Sequence, residues 1–453
     1  MVDPRITVYL PSRNYGRFLG DAIESVLRQT VEDWELIVID DGSTDDTPQV
    51  MNLYRGHPKI HLQRTEGVGL AAVCNLALAK ARGRYVIRLD GDDLFDENIL
   101  LVLGNVLDRQ PDVALVFPDY YLVDQFGEIF AQERRQRLYS SNHMFDLPPN
   151  GACTLVRAAV LRGIGGYRED LNAQDGFDLW SRVISHHKCT NVNLPLFYYR
   201  RHGANLTTDS QRILDARRQI KKDAVQTQLE AMRPIIAVIP CRRNFDFVTD
   251  LWKQELGGRT LVDRDISVCT SSKLFDHIVV TSDNDETEAW VRRHDDSRLR
   301  FFPRDPQSTI RSASIVPTLE RIAREIDPEL KGITVLRYTQ SPFVTVGTLE
   351  EAVATLAMSG GDSATGVEEI QSQVFRRTAH GLEIVNRRGQ INSDFNVLYR
   401  DLQSCIATRN RNFATGSLTG KAIVSFVVTG AECFFIDSEH KLQIARIMAG
   451  DGR

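Results

Sequence analysis

Two carboxylate-rich turns carry the first chemical signal in this chain. Each follows an apolar run: Val38-Ile39-Asp40-Asp41-Gly42-Ser43-Thr44-Asp45, and Val86-Ile87-Arg88-Leu89-Asp90-Gly91-Asp92-Asp93. Ligands of open α/β sheets bind outside the carboxyl ends of the strands, so turns in these positions face one crevice. Several negative charges gathered there repel one another unless something offsets them. Mg²⁺ or Mn²⁺ does so, because both take hard oxygen ligands and bridge protein carboxylates to a diphosphate. Taken singly, Asp-Gly-Ser and Asp-Gly-Asp are also ordinary solvated turns. Their pairing points to a cation site.

The elements that must position these turns alternate along the chain. Strands are expected at Ile6–Leu10, Glu35–Asp40, Ile60–Arg64 and Tyr85–Leu89, with helices around Leu19–Gln29, Asp46–Tyr54 and Leu70–Ala81. Such alternation predicts a mainly parallel sheet covered by helices. A second segment opens the same way: Ile235–Pro240 followed by Cys241-Arg242-Arg243 mirrors Ile6–Pro11 followed by Ser12-Arg13-Asn14. Further strands are expected at His277–Thr281, Gly332–Leu336 and Val424–Val428, with a helix at Thr348–Ala357. Between the two segments, Ile213, Ala216, Ile220, Ala224, Leu229 and Met232 recur three to five positions apart in a polar stretch. This predicts an amphipathic linking helix and a boundary near Arg233-Pro234. The expected fold class is α/β, with two nucleotide-binding-type α/β domains.

Length and composition agree. The 453 residues suffice for two or three domains, and 42% apolar with 25% charged residues is an ordinary globular balance. A net charge of −5, from 55 Lys and Arg against 60 Asp and Glu, offers no electrostatic footprint for nucleic acid. Seven scattered cysteines without a C-x-x-C pair predict reduced thiols and a cytoplasmic setting. The start, Met1-Val2-Asp3-Pro4-Arg5, lacks the features of a signal peptide, and the most apolar stretch, Ala422 to Ile436, is too short to span a bilayer. Membrane association is expected to be peripheral or through a partner.

Residues 1 to about 210 resemble glycosyltransferase family 2 of the GT-A fold. The resemblance rests on Pro11-Ser12-Arg13-Asn14-Tyr15, the helix Ala22 to Thr30, Asp40-Asp41-Gly42-Ser43, Gly69-Leu70 with Ala72 and Asn75, and Asp90-Gly91-Asp92-Asp93. It implies a nucleotide site at Pro11, Arg13, Asp41 and Asp90, and a Mn²⁺ or Mg²⁺ site at Asp92. Cys74 departs from the pattern, since relatives often carry Arg there, which puts one donor-phosphate contact in doubt. Gln174-Asp175-Gly176-Phe177-Asp178-Leu179-Trp180-Ser181-Arg182 resembles the acceptor-site segment, with Asp175 as catalytic base; alternatively Asp175 or Asp178 is only a helix cap. Tyr199-Arg200-Arg201-His202-Gly203-Ala204-Asn205 matches the closing loop, in which His202 completes the metal site or only hydrogen-bonds. Arg200 and Arg201 either neutralise a leaving diphosphate or form a solvated basic face. The implied reaction inverts the anomeric centre while moving a sugar from a nucleoside diphosphate to a saccharide or glycoconjugate hydroxyl, in surface-polysaccharide or glycan assembly. Specificity is expected in loops such as Tyr120–Pro149.

From about 234 onward the chain resembles, more loosely, the cytidylyltransferases that activate sialic-acid-like and Kdo-type sugars. Ile235–Pro240 with Arg242, Leu256-Gly257-Gly258-Arg259-Thr260-Leu261, Thr339-Gln340-Ser341-Pro342-Phe343 and Phe435-Ile436-Asp437-Ser438 carry that likeness. Where the family holds CTP phosphates with Gly-Gly-Ser-Lys, this chain has Arg243-Asn244-Phe245-Asp246, and a family Asp falls on Phe435, leaving Asp437 alone. The expected division is therefore a transferase domain over 1–208, a linker helix over 209–233, and a catalytically silent cytidylyltransferase-like domain over 234–453; the alternatives are a bifunctional enzyme whose second domain also makes a CMP-activated sugar, and a non-catalytic nucleotide- or sugar-binding scaffold. Synthetases of that type are commonly dimers, so the resemblance implies a homodimer through the second domain.

Overall fold

The computed structural model describes residues 3–135, 151–171, 173–203, 210–309, 313–370, 372–386, 391–393 and 397–450. Most of the Tyr120–Pro149 loop beyond Arg135, and Ala204-Asn205 of the closing loop, lie outside them. The chain forms two compact units: Met1–Arg217 with Gln373–Val397, and Arg218–Ser372 with Leu398–Arg453.

In the first unit the elements run β1 (Ile6–Ser12), α1 (Gly16–Leu27), β2 (Trp34–Asp41), α2 (Thr47–Asn52), β3 (Ile60–Thr65), α3 (Leu70–Lys80), β4 (Tyr85–Arg88), β5 (Leu94–Phe95), α4 (Ile99–Arg109), β6 (Val113–Val123), β7 (Ile129–Arg134), β8 (Leu155–Arg157), α5 (Ala158–Gly163), α6 (Asp175–Ile184) and β9 (Lys188–Arg200). β1 and β2 are buried along their whole length, as near-continuous apolar strands covered on both faces must be. On one face Leu19, Ile23 and Val26 of α1 meet Leu100, Leu103 and Leu107 of α4 over Val8, Leu10 and Val38. On the other, Val73, Cys74 and Ala77 of α3 and Leu179 and Trp180 of α6 cover Tyr9, Ile37 and Val86. β1 lies parallel between β2 and β4, with Ser12 opposite Asp40 and Tyr9 opposite Arg88, so the two acidic turns leave the sheet at the same end. β9 then runs parallel to β6 and pairs with β5, which sets the chain after Asp93 against the chain before His202. The strands and helices expected from the sequence here appear within a few residues of their predicted limits.

Beyond β9 come α7 (Ser210–Ala224) and α8 (Gln226–Glu230), in place of one continuous linking helix. The break at Val225 has a packing reason: this fully buried residue seats with Leu229 and Met232 on Ala354 and Ala357. The division between units falls within α7. The second unit continues with β10 (Ile235–Pro240), β11 (Glu255–Leu256), β12 (Arg259–Thr260), α9 (Leu261–Ser271), β13 (His277–Ser282), α10 (Asp285–Val291), β14 (Leu299–Pro303), α11 (Val316–Ile326), β15 (Ile333–Arg337), α12 (Val346–Ser359) and β16 (Ser363–Glu369). The chain next contributes the hairpin β17 (Phe375–Thr378) and β18 (Gly381–Ile384) and the strand β19 (Ile391–Ser393) to the first unit, where β19 pairs with β7. It closes with β20 (Tyr399–Arg409), β21 (Ile423–Val427) and α13 (Glu439–Met448) in the second. The second sheet has the order β14-β13-β10-β15-β20-β16-β21, parallel from β14 to β15 and antiparallel on either side of β20. Each unit is thus an α/β fold. Among the described residues no helix is long and apolar enough to cross a membrane.

A fully buried ion pair joins Arg337 at the end of β15 to Asp265 of α9 at 2.8 Å. Burial pushes the Asp265 carboxyl up to about 6 against the pull of Arg337 and Arg264. None of the seven cysteines is in a disulfide.

Candidate active site

The turn after β4 holds most of the charge. Gly91 lets it lie on the end of β1, since a Cβ there would stand 2.9 Å from Ser12 Oγ. Asp92 is buried, and its Oδ2 lies 3.0 Å from His202 Nε2. The His202 ring is enclosed by Phe18 and Tyr15, with centroids at 5.2 and 5.8 Å. Burial, then the charge of Asp90, raise the Asp92 carboxyl above its ordinary range, and His202 draws it partly back. Burial, Asp92 and Asp90 push Asp93 well up. The Tyr15 phenol is raised by its own burial and by the same acids, which places its ring beside the cluster.

Arg200 is buried and clamps this turn. Its backbone N–H donates to Asp93 Oδ1 at 2.9 Å, its Nε donates to the Asp92 carbonyl at 2.9 Å, and its guanidinium stacks on Phe18. Of the two roles the sequence left open for Arg200, a solvated basic face is therefore excluded, and the side chain serves the loop.

Asp90 and Asp175, 85 positions apart in sequence, meet through one residue the sequence reading passed over. Arg88 donates from Nε to Asp90 Oδ1 at 2.5 Å, from Nη2 to Asp90 Oδ2 at 3.0 Å, and from Nη1 to Asp175 Oδ2. Burial works against the Arg88 charge, yet Asp90, Asp175, Cys74 and Tyr167 hold the guanidinium protonated well above its usual range. A charged residue inside the apolar strand Tyr85-Val86-Ile87-Arg88-Leu89 was the available signal. Cys74 lies within this cluster, and burial pushes its thiol up to about 12. Asp175 is the first residue of α6, after Gln174 in a left-handed conformation (φ 60°), and neither acid provides the side-chain cap. Asp178 is instead buried and engaged by Arg182 at 2.6 Å. Two more non-glycine residues with positive φ are Asn14, whose N–H donates to Ser43 Oγ at 2.8 Å, and Cys153, whose N–H donates to the Arg88 carbonyl at 2.9 Å. Left-handed residues of this kind persist where the surrounding structure holds them.

The turn after β2 is organised differently. Asp41 accepts from Thr65 Oγ1 and Val68 N at 2.7 Å and from Gly69 N at 2.9 Å, with Arg13 at 4.0 Å. Burial works to raise this carboxyl, but those donors outweigh it and hold it below its ordinary range. Pro11 lies in β1 opposite Ile39, and the Arg13 side chain is largely exposed beside Gly67. Arg242 and Asp437 belong to the second unit. Arg242 lies 4.1 Å over the Phe245 ring, and Asp437 accepts from Lys441 at 2.7 Å. The Ser-Pro turn and the C-terminal acidic motif, separate in sequence, are joined there by Gln340 and Ile436, which exchange hydrogen bonds at 2.7 and 3.0 Å.

A divalent cation fits the Asp92 and His202 pair. Asp92 Oδ2 and His202 Nε2 stand at hydrogen-bond distance, 3.0 Å, and are an oxygen and a nitrogen donor of the kind that would hold Mn²⁺ or Mg²⁺. Among the described residues, no three His, Cys, Asp or Glu side chains converge into a closed cage.

Residues 7–162 match the family model for glycosyl transferase family 2. The "Putative glycosyltransferase EpsE" of Bacillus subtilis is 31% identical over 191 residues, which cover 40% of this chain and 67% of that protein. The chondroitin synthase of Escherichia coli is 23% identical over 203 residues, 45% of this chain and 30% of that protein. The chain spans less than a third of the length of several curated relatives, the chondroitin synthase among them, and two thirds of the Bacillus protein. Among solved structures, S. aureus TarS 1-349 in complex with UDP-GlcNAc is similar with a TM-score of 0.43 and 18% identity, over 49% of this chain and 67% of that one. By its family-model match and its likeness to the Bacillus protein, this chain belongs to glycosyltransferase family 2.

Proposed function

We propose that the chain is a metal-dependent, inverting glycosyltransferase that moves a sugar from a nucleoside-diphosphate donor to a hydroxyl of a saccharide or glycoconjugate, in surface-polysaccharide or glycan assembly. The observation that carries this reading is that the buried Arg88 joins Asp90 to Asp175, while Asp92 of the same turn pairs with His202. Asp92 and His202 would hold Mn²⁺ or Mg²⁺, and such an ion supplies charge neutralisation for a departing diphosphate. Pro11, Arg13, Asp41 and Asp90 are assigned to the nucleotide side.

Asp175 has one oxygen, Oδ2, engaged by Arg88, so Oδ1 is the atom that takes the acceptor proton. As the acceptor oxygen bonds to the anomeric carbon, the bond from that carbon to the diphosphate oxygen breaks and the nucleoside diphosphate leaves from the opposite side. That geometry inverts the centre. Residues 234–453, apart from the 373–397 segment that belongs to the first unit, are read as a silent cytidylyltransferase-like domain, a reading supported by the engagement of Arg242 with Phe245 and of Asp437 with Lys441.

The test is nucleoside-diphosphate release from a panel of UDP-GlcNAc, UDP-glucose and GDP-mannose with Mn²⁺, with and without saccharide acceptors. Asp92→Ala is expected to abolish Mn²⁺-dependent nucleotide binding. Asp175→Asn is expected to leave that binding within threefold and to slow transfer by about 10²–10⁴-fold. Loss of binding in Asp175→Asn would assign that residue a structural role instead.

A further inference from the structure

Arg88 is placed unlike an ordinary structural ion-pair partner. Its side chain is 6% exposed, while the carboxylates it holds are 26% (Asp90) and 23% (Asp175) exposed, so the cation is hidden and both anions surface in the crevice. Nε and Nη2 grip both oxygens of Asp90. Because the guanidinium is planar, that grip also fixes where Nη1 points, and Nη1 is the donor to Asp175. The backbone closes over the pair: a Cβ on Gly151 would stand 3.0 Å from Arg88 Nη1 and 3.2 Å from Asp175 Oδ2. From beneath, Tyr9 lies opposite Arg88 in the sheet and shares a 2.5 Å contact between hydroxyls with Tyr167. Burying a charge for stability alone is a poor bargain, since an apolar replacement of the whole network is often neutral.

We propose that Arg88 is a positioning residue that locks the acceptor-side carboxylate Asp175 to the donor-side carboxylate Asp90, so that base and donor site keep one fixed separation. This rests on the assignment of Asp175 as base given above. A lysine, a point charge without the fork, cannot hold three oxygens in one plane. The residue acts through Asp175 and touches neither substrate.

The test is a double-mutant cycle in the full chain, with Mn²⁺-UDP as the binding probe and turnover of the best panel donor as the kinetic one. Arg88→Gln is expected to slow turnover about 100-fold and, because Asp90 loses two of its donors, to weaken the Mn²⁺-UDP Kd by a smaller factor, below tenfold. Combined with Asp175→Asn, it should be no slower than Asp175→Asn alone within twofold, because both changes disable one step. Arg88→Lys should show the same defect at about tenfold or more. Gly151→Ala, which keeps all three charges and only crowds the pair, should lower turnover about tenfold at unchanged Kd and serves if Arg88→Gln does not fold. Multiplying defects in the double variant, a tenfold weaker Kd in Arg88→Gln, or turnover within threefold of the parent in both Arg88→Gln and Gly151→Ala would overturn the proposal. A fully active Asp175→Asn would instead remove the base assignment itself.

Discussion

Asp93 receives the Arg200 N–H on Oδ1, whereas its Oδ2 is buried without a hydrogen-bond partner among the described residues. A carboxyl raised in the fold holds its proton more tightly there than in the unfolded chain, so between the two pKa values stability falls as pH rises. Burial and mutual repulsion raise Asp92 and Asp93 together, so in metal-free protein these two groups should contribute a loss of stability from about pH 4, the unfolded carboxylate value, upward. Asp93→Asn removes one of these charges. Its Tm, followed by calorimetry, should match the parent near pH 4 and exceed it at pH 8 by about 2–4 °C, the shift that corresponds to about 1 kcal/mol in a domain of this size. A lower Tm at pH 8 would show that Asp93 is stabilised as an anion. At this scale the sequence disclosed the acids but not their partners. Asp90 and Asp92 follow a recognisable spacing, whereas the roles of Arg88 and Arg200 depend on contacts 87 and 107 residues away.

The turn that follows β2 shows how an element fixes a side chain. Gly42 has φ 72°, and a Cβ there would stand 2.9 Å from the backbone nitrogen of Gly67. Gly42→Ala therefore meets both a left-handed backbone and a close approach, and should destabilise the chain by about 2–4 kcal/mol in urea titration. It should also disturb the 65–69 segment that donates to Asp41. An effect below about 0.5 kcal/mol would mean that the turn relaxes freely. Elements of the first parallel half were legible because apolar runs such as Ile6–Leu10 and Glu35–Asp40 are buried on both faces and carry their own signal. β19 was not. It is three residues long, and its pairing with β7 joins Ile391 to Gln132, a contact that no local periodicity announces. The break at Val225 was equally hidden, because an amphipathic pattern continues across it.

At the scale of the whole molecule, two α/β units share one chain, and the 373–397 segment returns to the first after the second has begun. The sequence conveyed two strand-opened halves but not this return, since the boundary near Arg233-Pro234 rests on the linking-helix pattern and the strand that follows it. Chemistry is proposed for the first unit alone, and it stands on whether Asp92 and His202 bind a cation that in turn holds a nucleotide. The most direct measurement is a manganese anomalous difference map from crystals of the full chain grown with Mn²⁺ and UDP. The account predicts a peak about 2.1 Å from both Asp92 Oδ2 and His202 Nε2, bridged to the diphosphate. UDP bound away from these residues, or a manganese peak that touches neither of them, would contradict it.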